Sequence, residues 1–333
     1  MNVTPESTQT TSRRRFAAYA WGVLAYNLAV ILWGAYVRAS VSGNGCGSHW
    51  PLCNGEVIPT APQLQTRIEF AHRLTSGLSV VLLVGLAVWA WRAFPRGHRV
   101  RRAALLSVGF IFTEALIGAG LVLFAYVAQD ASVGRALFMS VHLLNTFVLL
   151  AVVALTAWWA TGAPRVSLRG QGIVLHLFAL GLGATLVLAV SGAIAALGDT
   201  LYPARTFAEG FTRDFSPAAH FLLRLRVIHP ALAIMAGCYV VLAASYVSNF
   251  LRPTRRVKRL TALLVTIYLL QLGAGLLNLY LLAPVWLQLT HLFLADALWL
   301  ALVLTAAAAL AQPVVQVREG EAINLRPAEE LRP

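Results

Sequence analysis

Four histidines stand in or next to long apolar stretches of the chain, each within about two turns of one end of a predicted helix. A lone histidine in such a place is most simply one partner of an interhelical hydrogen bond. Four at matched positions need stronger partners, because burying an imidazole at membrane depth is costly. Two histidines from different helices of a bundle can hold a haem iron between them. We therefore predict one haem site between His72 and His142. A second site is predicted between His229 and His291.

An acidic residue accompanies only one of these predicted sites. Glu69 precedes His72 by three residues, so both side chains face the same pocket. Arg226 takes the matching place before His229. A carboxylate fits proton-coupled chemistry on a bound substrate, whereas electron transfer alone needs no acid. Glu69 could instead only pair with a neighbouring arginine. Arg73 and Arg226 are also candidates for binding haem propionates, since guanidinium matches carboxylate geometry.

Two cysteines, Cys46 and Cys53, lie close together in the first long loop between apolar stretches. This loop falls on the outer, oxidising side of the membrane, where a disulfide is favoured. The pair is either a staple for the loop or a redox pair that opens and closes during turnover. A metal site fits less well, because two cysteines and one histidine lack the usual ligand number and spacing. Cys238, inside a later apolar stretch, is expected to be a buried small residue.

Two further ionisable residues, Glu114 and Asp296, lie within apolar stretches. Each fits either a proton path or a hydrogen bond between helices, and the sequence favours neither. The remaining four histidines have no repeated partner. They are interpreted as solvated or interfacial residues: His49, His98, His176 and His220.

The composition excludes several classes of protein. Of 333 residues, 59% are hydrophobic and only 12% are charged, and the mean hydropathy is +0.72. A disordered chain, a secreted disulfide scaffold and an ordinary cytosolic enzyme are all more polar than this. The net charge of +13 could suggest nucleic acid. The basic residues lie in short clusters between apolar stretches, so the predicted partner is a lipid bilayer and not nucleic acid.

Seven uncharged or nearly uncharged stretches are long enough to cross a hydrocarbon core, which needs roughly 20 residues. They cover residues 16–37, 74–91, 103–127, 136–164, 170–198, 227–251 and 260–295. The last has 36 residues, is too long for one span and is interrupted by Pro284. We predict two helices there, joined by a tight turn at residues 282–284. The expected fold is an all-α integral membrane protein with eight transmembrane helices.

The distribution of basic residues indicates the orientation of these helices. Of 26 Lys and Arg residues, 18 fall on one side, in the two tails and in three connecting loops. Cytoplasmic segments carry such an excess. We therefore expect a multi-pass protein of the plasma membrane with both termini in the cytoplasm and the haem sites toward the outer side. The first apolar stretch lacks a small-residue cleavage site and is expected to be retained as a helix.

Four matches in the same order indicate an internal repeat. The repeated features are residues 34–37 with 192–195, His72 with His229, residues 118–121 with 273–276, and His142 with His291. Both halves contain four helices and so have the same orientation. We expect two pseudo-symmetric four-helix bundles. The predicted organisation is an N-terminal tail (1–15), an N-terminal half (16–162), a C-terminal half (170–312) and a C-terminal tail (313–333).

Taken together, these features resemble the haem A synthase family, over roughly residues 16–311. The resemblance rests on eight helices in two repeated halves, on the cysteine pair and on four short motifs. The motifs are Glu69-Phe70-Ala71-His72-Arg73, Val141-His142-Leu143-Leu144-Asn145, Val227-Ile228-His229-Pro230 and Thr290-His291-Leu292.

The resemblance implies an activity and a set of roles. The family oxidises a methyl group of haem O to a formyl group, which gives haem A for terminal oxidase assembly. By resemblance, His229 and His291 would hold a resident haem b. His72 and His142 would hold the substrate haem O, with Glu69 as the catalytic acid. Cys46 and Cys53 match the disulfide of the family's first outer loop. Some bacterial members have a second pair in the other half, and residues 199–220 contain none here.

The expected partners are haem O, the haem O synthase that supplies it and a membrane electron donor. Small residues on helix faces also favour a homo-oligomer. One alternative is a di-haem b-type membrane cytochrome that only transfers electrons, which would need the four histidines but not Glu69. Another alternative is a transporter with parallel repeats, which would contain no haem.

Overall fold

The computed structural model describes residues 5–311, and these residues form helices and connecting loops. Within this range there is no β-strand, only an isolated antiparallel bridge between Cys53 and Glu56. Nine α-helices are present in the described part: α1 (Pro5–Ala39), α2 (Leu64–Ala93), α3 (Arg99–Leu123), α4 (Val133–Ala160), α5 (Ile173–Leu201), α6 (Phe207–Asp214), α7 (Phe221–Tyr246), α8 (Arg255–Tyr280) and α9 (Val285–Leu310).

Eight of these helices are long and apolar enough to cross a membrane, as the sequence predicts. The chain is therefore a multi-pass, all-α membrane protein. The first helix begins at Pro5, earlier than the expected boundary after residue 15, and its membrane-spanning part covers Ser12–Ala39. The first four residues and the predicted C-terminal tail, 313–333, lie outside the described residues.

The division of the last apolar stretch into two helices is confirmed. Helix α8 ends at Tyr280 and α9 begins at Val285. Leu282 and Ala283 adopt positive φ angles of 60° and 53°, which reverse the chain direction. Pro284 then precedes the first residue of α9, where its missing N–H leaves no helical hydrogen bond unmade.

The short helix α6 lies in the loop between α5 and α7 and was not expected. Thr206 caps it by accepting a hydrogen bond from the Glu209 amide, and Glu209 in turn accepts one from the amide of Arg205. Phe207, Phe211 and Phe215 recur every four residues along one exposed face. A Thr-x-x-Glu sequence is a known signal for a helix start, so the start of this helix can be predicted from the sequence.

Contacts between helices place the two histidines of each set of four helices on diagonally opposite helices. Helices α2 and α4, which carry His72 and His142, each pack against both α1 and α3. Helices α7 and α9, which carry His229 and His291, each pack against both α5 and α8. The histidine-bearing helices therefore face each other across the middle of their own set.

The two sets of four helices are joined along α1, α4, α5 and α9. In the middle of this junction, Trp299 stacks on Phe147 with ring centroids 5.3 Å apart and donates to its carbonyl at 2.7 Å. Toward the end that carries the loops 40–63 and 202–220, which we call the outer end, Arg38 crosses the junction. It donates to Ala196 O at 2.6 Å and to Gln288 Oε1 at 2.9 Å.

Candidate functional site

His72 lies against a glycine of the neighbouring helix. A Cβ atom added to Gly34 of α1 would lie 2.9 Å from Cε1 of His72, closer than van der Waals contact allows. His142 of α4 has Gly118 of α3 beside it, at 3.8 Å by the same measure. Their helices, α2 and α4, lie diagonally across the first set of four helices, and each packs against both α1 and α3. The structure thus places both histidines of the first predicted pair in one set of helices, each beside a glycine of a flanking helix.

The second predicted pair has the same construction. A Cβ atom at Gly192 of α5 would lie 3.1 Å from Cε1 of His229, and one at Gly275 of α8 would lie 3.2 Å from Cε1 of His291. Helices α7 and α9, which carry these rings, lie diagonally across the second set of four helices. The rings of His72, His229 and His291 therefore occupy space that a side chain on the adjacent helix would need, whereas the ring of His142 lies at ordinary contact distance from the added atom.

These contacts correct the register of the predicted repeat. The sequence motif pairs Gly118 with Gly273, but the glycine beside His291 is Gly275. A Cβ atom added at Gly273 would meet no atom of the described residues within 4 Å. The spacing from Gly118 to Gly275 is 157 residues, the same as from His72 to His229. Gly118 and Gly275 thus each lie beside a histidine ring.

Glu69 is buried beneath the first outer loop. Its Oε2 accepts a hydrogen bond from the Cys46 amide at 2.8 Å, and its Oε1 pairs with Arg73 at 2.6 Å. Arg73 also donates to the carbonyl oxygens of His49 and Leu52. Glu69 and Arg73 together fasten this loop over the outer end of α2, so the guanidinium predicted for a propionate is engaged by protein atoms.

The predicted bond between Cys46 and Cys53 is formed, with Cα atoms 4.4 Å apart. The loop fits closely on the start of α2, because a Cβ atom at Gly45 would lie 2.4 Å from the carbonyl carbon of Gln65. Thr66 donates from its hydroxyl to the Gly45 carbonyl at 2.7 Å. The disulfide thus closes a loop that is docked on the helix carrying Glu69.

Arg226, which replaces Glu69 in the second half, holds the other outer loop. Its guanidinium donates to Asp199 of α5 at 2.8 Å and forms a second ion pair with Asp214, the last residue of α6. The two halves therefore use the same helix position to fasten an outer loop, but with opposite charge. Arg226 is occupied by these carboxylates and, like Arg73, is not free in this arrangement.

A second difference between the halves lies on α3 and α8. Glu114 Oε1 is 3.2 Å from Nδ1 of His142, and the Glu114 carboxylate accepts hydrogen bonds from Asn145 and Thr146 of α4. At the matching place, 157 residues later, stands Gln271, whose Nε2 is 3.2 Å from Nε2 of His291. The sequence fits two roles for Glu114, and the structure puts its carboxylate beside a predicted iron ligand.

Several other singled-out residues lie apart from these pairs. Asp296 is fully buried, and neither of its carboxyl oxygens has a hydrogen-bond partner among the described residues. His98 caps α3, where burial and the nearby Arg99 and Arg13 lower its pKa. Cys238 is exposed on the surface of α7, so the expectation of a buried residue was wrong.

The donor groups present fit iron in a macrocycle better than a bare metal ion. Among residues 12–311 there is no group of three or more His, Cys, Asp or Glu side chains that could hold a metal ion. A haem needs only two axial ligands from the protein. In His229, Nδ1 is bonded to the Ser191 hydroxyl at 2.8 Å, which leaves Nε2 to bind iron.

The fold and the two histidine pairs define a multi-pass helical membrane protein with paired, glycine-backed imidazoles. Residues 17–303 match the model of the COX15-CtaA family, described as cytochrome oxidase assembly protein. The chain belongs to this family, which confirms the resemblance to haem A synthases.

Similar proteins include one from Thermus thermophilus called protoheme IX farnesyltransferase, 51% identical over 94% of this chain and 51% of its own length. A heme A synthase of Halalkalibacterium halodurans is 38% identical over 45% of the chain and 50% of that protein. A heme A synthase of Bacillus licheniformis is 26% identical over 82% of the chain and 88% of that protein. The chain thus spans about half the length of the first two of these relatives.

Proposed function

We propose that this protein is a haem A synthase, which oxidises the methyl group of haem O to a formyl group. The observation that carries the proposal is the asymmetry between two otherwise matched histidine pairs. Glu69 and Glu114 accompany the pair His72 and His142. In the second half, Arg226 and Gln271 stand at the positions that match Glu69 and Glu114. Two carboxylates beside one pair support substrate chemistry there and electron transfer at the other.

In this proposal the substrate haem O binds between His72 and His142. His229 and His291 hold a resident haem b, which supplies electron transfer when bound. Support for the ligand role comes from the glycines against all four rings, because a ring packed against a bare backbone is held in one orientation. Ser191 supports His229 further, since its hydroxyl occupies Nδ1 and leaves Nε2 available.

Glu69 is proposed to transfer protons on the substrate side. Oxidation of a methyl to a formyl group breaks C–H bonds, and a buried carboxylate three residues from a proposed iron ligand is placed to exchange protons there. Its two oxygens are already held by the Cys46 amide and by Arg73. These hydrogen bonds keep the carboxylate in one position and shield it from water, since only 3% of Glu69 is exposed.

We further propose that the outer end of the bundle faces the outside of the plasma membrane, with both termini in the cytoplasm. The clusters of basic residues on the opposite side support this orientation. The bond between Cys46 and Cys53 is consistent with it, because disulfides persist in oxidising compartments.

A haem O synthase is the proposed supplier of the substrate. The Thermus thermophilus relative supports this, because it is about twice as long as the matching region and is called a protoheme IX farnesyltransferase. A farnesyltransferase acting on protohaem makes a farnesylated haem of the kind that this chain would oxidise. The electron donor is proposed to be a membrane component.

Pigment analysis of cells tests the proposed activity. The protein is expressed in a host that makes haem O but no haem A, and extracted haems are separated by chromatography. Haem A in the extract, together with haem b in the purified protein, is expected. Two b-type haems without haem A would favour the di-haem cytochrome instead. A colourless protein from haem-replete cells would favour a transporter.

A further inference from the structure

Within the described part of the chain, all three hydrogen bonds from the Arg38 guanidinium go to the second half. Nη1 donates to the carbonyl oxygen of Ala196 at 2.6 Å and to the hydroxyl of Thr200 at 2.5 Å, both on α5. Nη2 donates to Oε1 of Gln288 on α9 at 2.9 Å. A positive charge that belongs to a first-half helix therefore lies among atoms of the second half.

One of these bonds joins two residues that correspond in the internal repeat. The repeat pairs residues 34–37 with 192–195, and the next residues in the two copies are Arg38 and Ala196. The two sets of four helices share one pattern of packing. Equivalent positions in two such sets come into contact only near the axis that relates the sets. The guanidinium therefore lies near the middle of the junction, between the two histidine pairs.

The guanidinium is also about one helical turn outward of a histidine contact in each half. On α1, Arg38 follows Gly34, the glycine against the ring of His72, by four residues. On α5, the carbonyl that it binds belongs to the residue four positions after Gly192, which lies against His229. Four residues of helix rise by about 6 Å. A single charge is thus near a proposed haem ligand in both halves.

Only neutral oxygen atoms accept the hydrogen bonds of this guanidinium: one carbonyl, one hydroxyl and one side-chain amide. Among the described residues no carboxylate forms an ion pair with Arg38, and Asp199 of α5 is bound by Arg226 instead. A partly buried charge is screened much less than a solvated one. Because no carboxylate cancels it locally, the field of Arg38 extends to both histidine pairs.

We propose that Arg38 is a shared electrostatic residue that favours the reduced state of the haem in either half. This inference rests on the proposed function, because it takes both histidine pairs as haem sites. Reduction removes one positive charge from the iron, so a nearby cation stabilises the reduced form. Because one charge acts on both haems, it raises the two midpoint potentials together. The difference between them, which drives electron transfer between the halves, is then little changed.

A purely mechanical tie between the two sets of helices is the competing explanation. Arg38→Gln removes the charge but keeps a hydrogen-bond donor, whereas Arg38→Lys keeps the charge with fewer donors. A mechanical role predicts that both variants damage the protein in the same way. An electrostatic role predicts that lysine preserves the two potentials and that glutamine does not.

A second variant cancels the charge without removing the arginine. Gln288→Glu sets a carboxylate against Nη2 of Arg38 and so preserves the bond across the junction. Arg67→Gln is the matched control, since Arg67 is an exposed cation of the outer end that binds the Pro62 carbonyl. It changes the net charge of the protein by the same amount as Arg38→Gln.

The test is a redox titration of purified protein that retains its resident haem and has ferric protohaem added to the second site. In Arg38→Gln and Gln288→Glu, the ratio of oxidised to reduced haem at a fixed potential should rise by about 10-fold in each half, the effect of a unit charge about 10 Å away inside a protein. Arg38→Lys and Arg67→Gln should keep the parental potentials. His72→Ala, which lacks one ligand of the second site, identifies the resident haem in the titration.

Parental potentials in both Arg38→Gln and Gln288→Glu would overturn the inference, and so would a shift confined to one haem. Equal shifts in Arg38→Gln and Arg38→Lys without a shift in Gln288→Glu would overturn it in favour of the mechanical tie. Gln288→Glu provides the test if Arg38→Gln does not fold. A parent protein that binds only one haem would also overturn it. Because the titration does not require haem A formation, a protein with the expected potentials that makes no haem A refutes the proposed function only.

Discussion

The carboxylate of Glu69 accepts a hydrogen bond from the backbone amide of Cys46 at 2.8 Å, so the disulfide loop and the proposed acid are joined directly. Arg73 completes the link by binding both Glu69 and the loop carbonyls of His49 and Leu52. The loop, the acid and the helix that carries His72 therefore form one unit. A substitution in any one of these three parts is expected to displace the other two.

Glu69→Gln should reduce haem A formation by about 100-fold, because it removes the group that exchanges protons while nearly preserving side-chain volume. Haem b in the purified protein should stay at the parental level. Analysis of the extracted pigments distinguishes a loss of haem A formation from a loss of bound haem b. Glu56→Gln is a matched control in the same loop, since Glu56 is exposed and binds Thr60 only locally. Normal haem A production by Glu69→Gln would remove the catalytic assignment.

Removal of single histidines should affect the two halves differently. His229→Ala should abolish bound haem b, since it deletes an axial ligand of the resident site. His72→Ala should retain haem b and lose conversion of haem O. The haem content per chain and the pigment profile provide the two measurements. His176→Ala is a suitable control, because its ring lies at the start of α5 and bonds to the Gly172 carbonyl there. Loss of haem b from both variants would refute separate sites.

Replacement of both cysteines, Cys46→Ser with Cys53→Ser, distinguishes a structural disulfide from a redox-active one. The loop is also held by Glu69, Arg73 and the bond from Thr66 to Gly45. We therefore expect the double variant to keep haem b and part of its haem A production, with faster hydrogen exchange at residue 46. Complete loss of haem A in a protein that retains haem b would instead indicate redox participation of the pair.

Much of this architecture is readable from the sequence because a bilayer restricts the solutions. Long apolar stretches and the clusters of arginine predict eight spans, and Pro284 predicts the turn between α8 and α9. The four histidines stand out because ionisable side chains are rare within spans. The early start of α1 has no such signal, since residues 5–15 are polar and their helix merely continues the apolar one.

What the sequence does not provide is the partner of each side chain across helices. The contact between Glu114 and His142 joins residues 28 apart on different helices, and hydropathy does not report it. The sequence motif pairs Gly118 with Gly273, since both begin a Gly-Ala-Gly sequence, and only packing shows that Gly275 is the equivalent. The capped helix α6 is a different case, because Thr206 and Glu209 could have been recognised.

Two glycines test whether the histidine rings are held by backbone contact. Gly34→Ala would place a methyl group 2.9 Å from Cε1 of His72, and Gly192→Ala would place one 3.1 Å from Cε1 of His229. Each should displace its ring and weaken haem binding in its own half. Haem content after purification measures the effect for Gly192, and haem A formation measures it for Gly34.

Matched controls lie on the same two helices. Gly22 of α1 and Gly183 of α5 have no atom within 4 Å of an added Cβ, so alanine there meets open space. Gly22→Ala and Gly183→Ala should keep the haem content and the haem A formation of the parent protein. Alanine should also stabilise each helix by up to about 1 kcal/mol. A Gly192→Ala protein with full haem b would show that His229 can shift without losing its ligand position. Full haem A formation by Gly34→Ala would likewise show that contact with the glycine backbone does not hold His72 in place. A ring held rigidly against that glycine would have no room for the added methyl group.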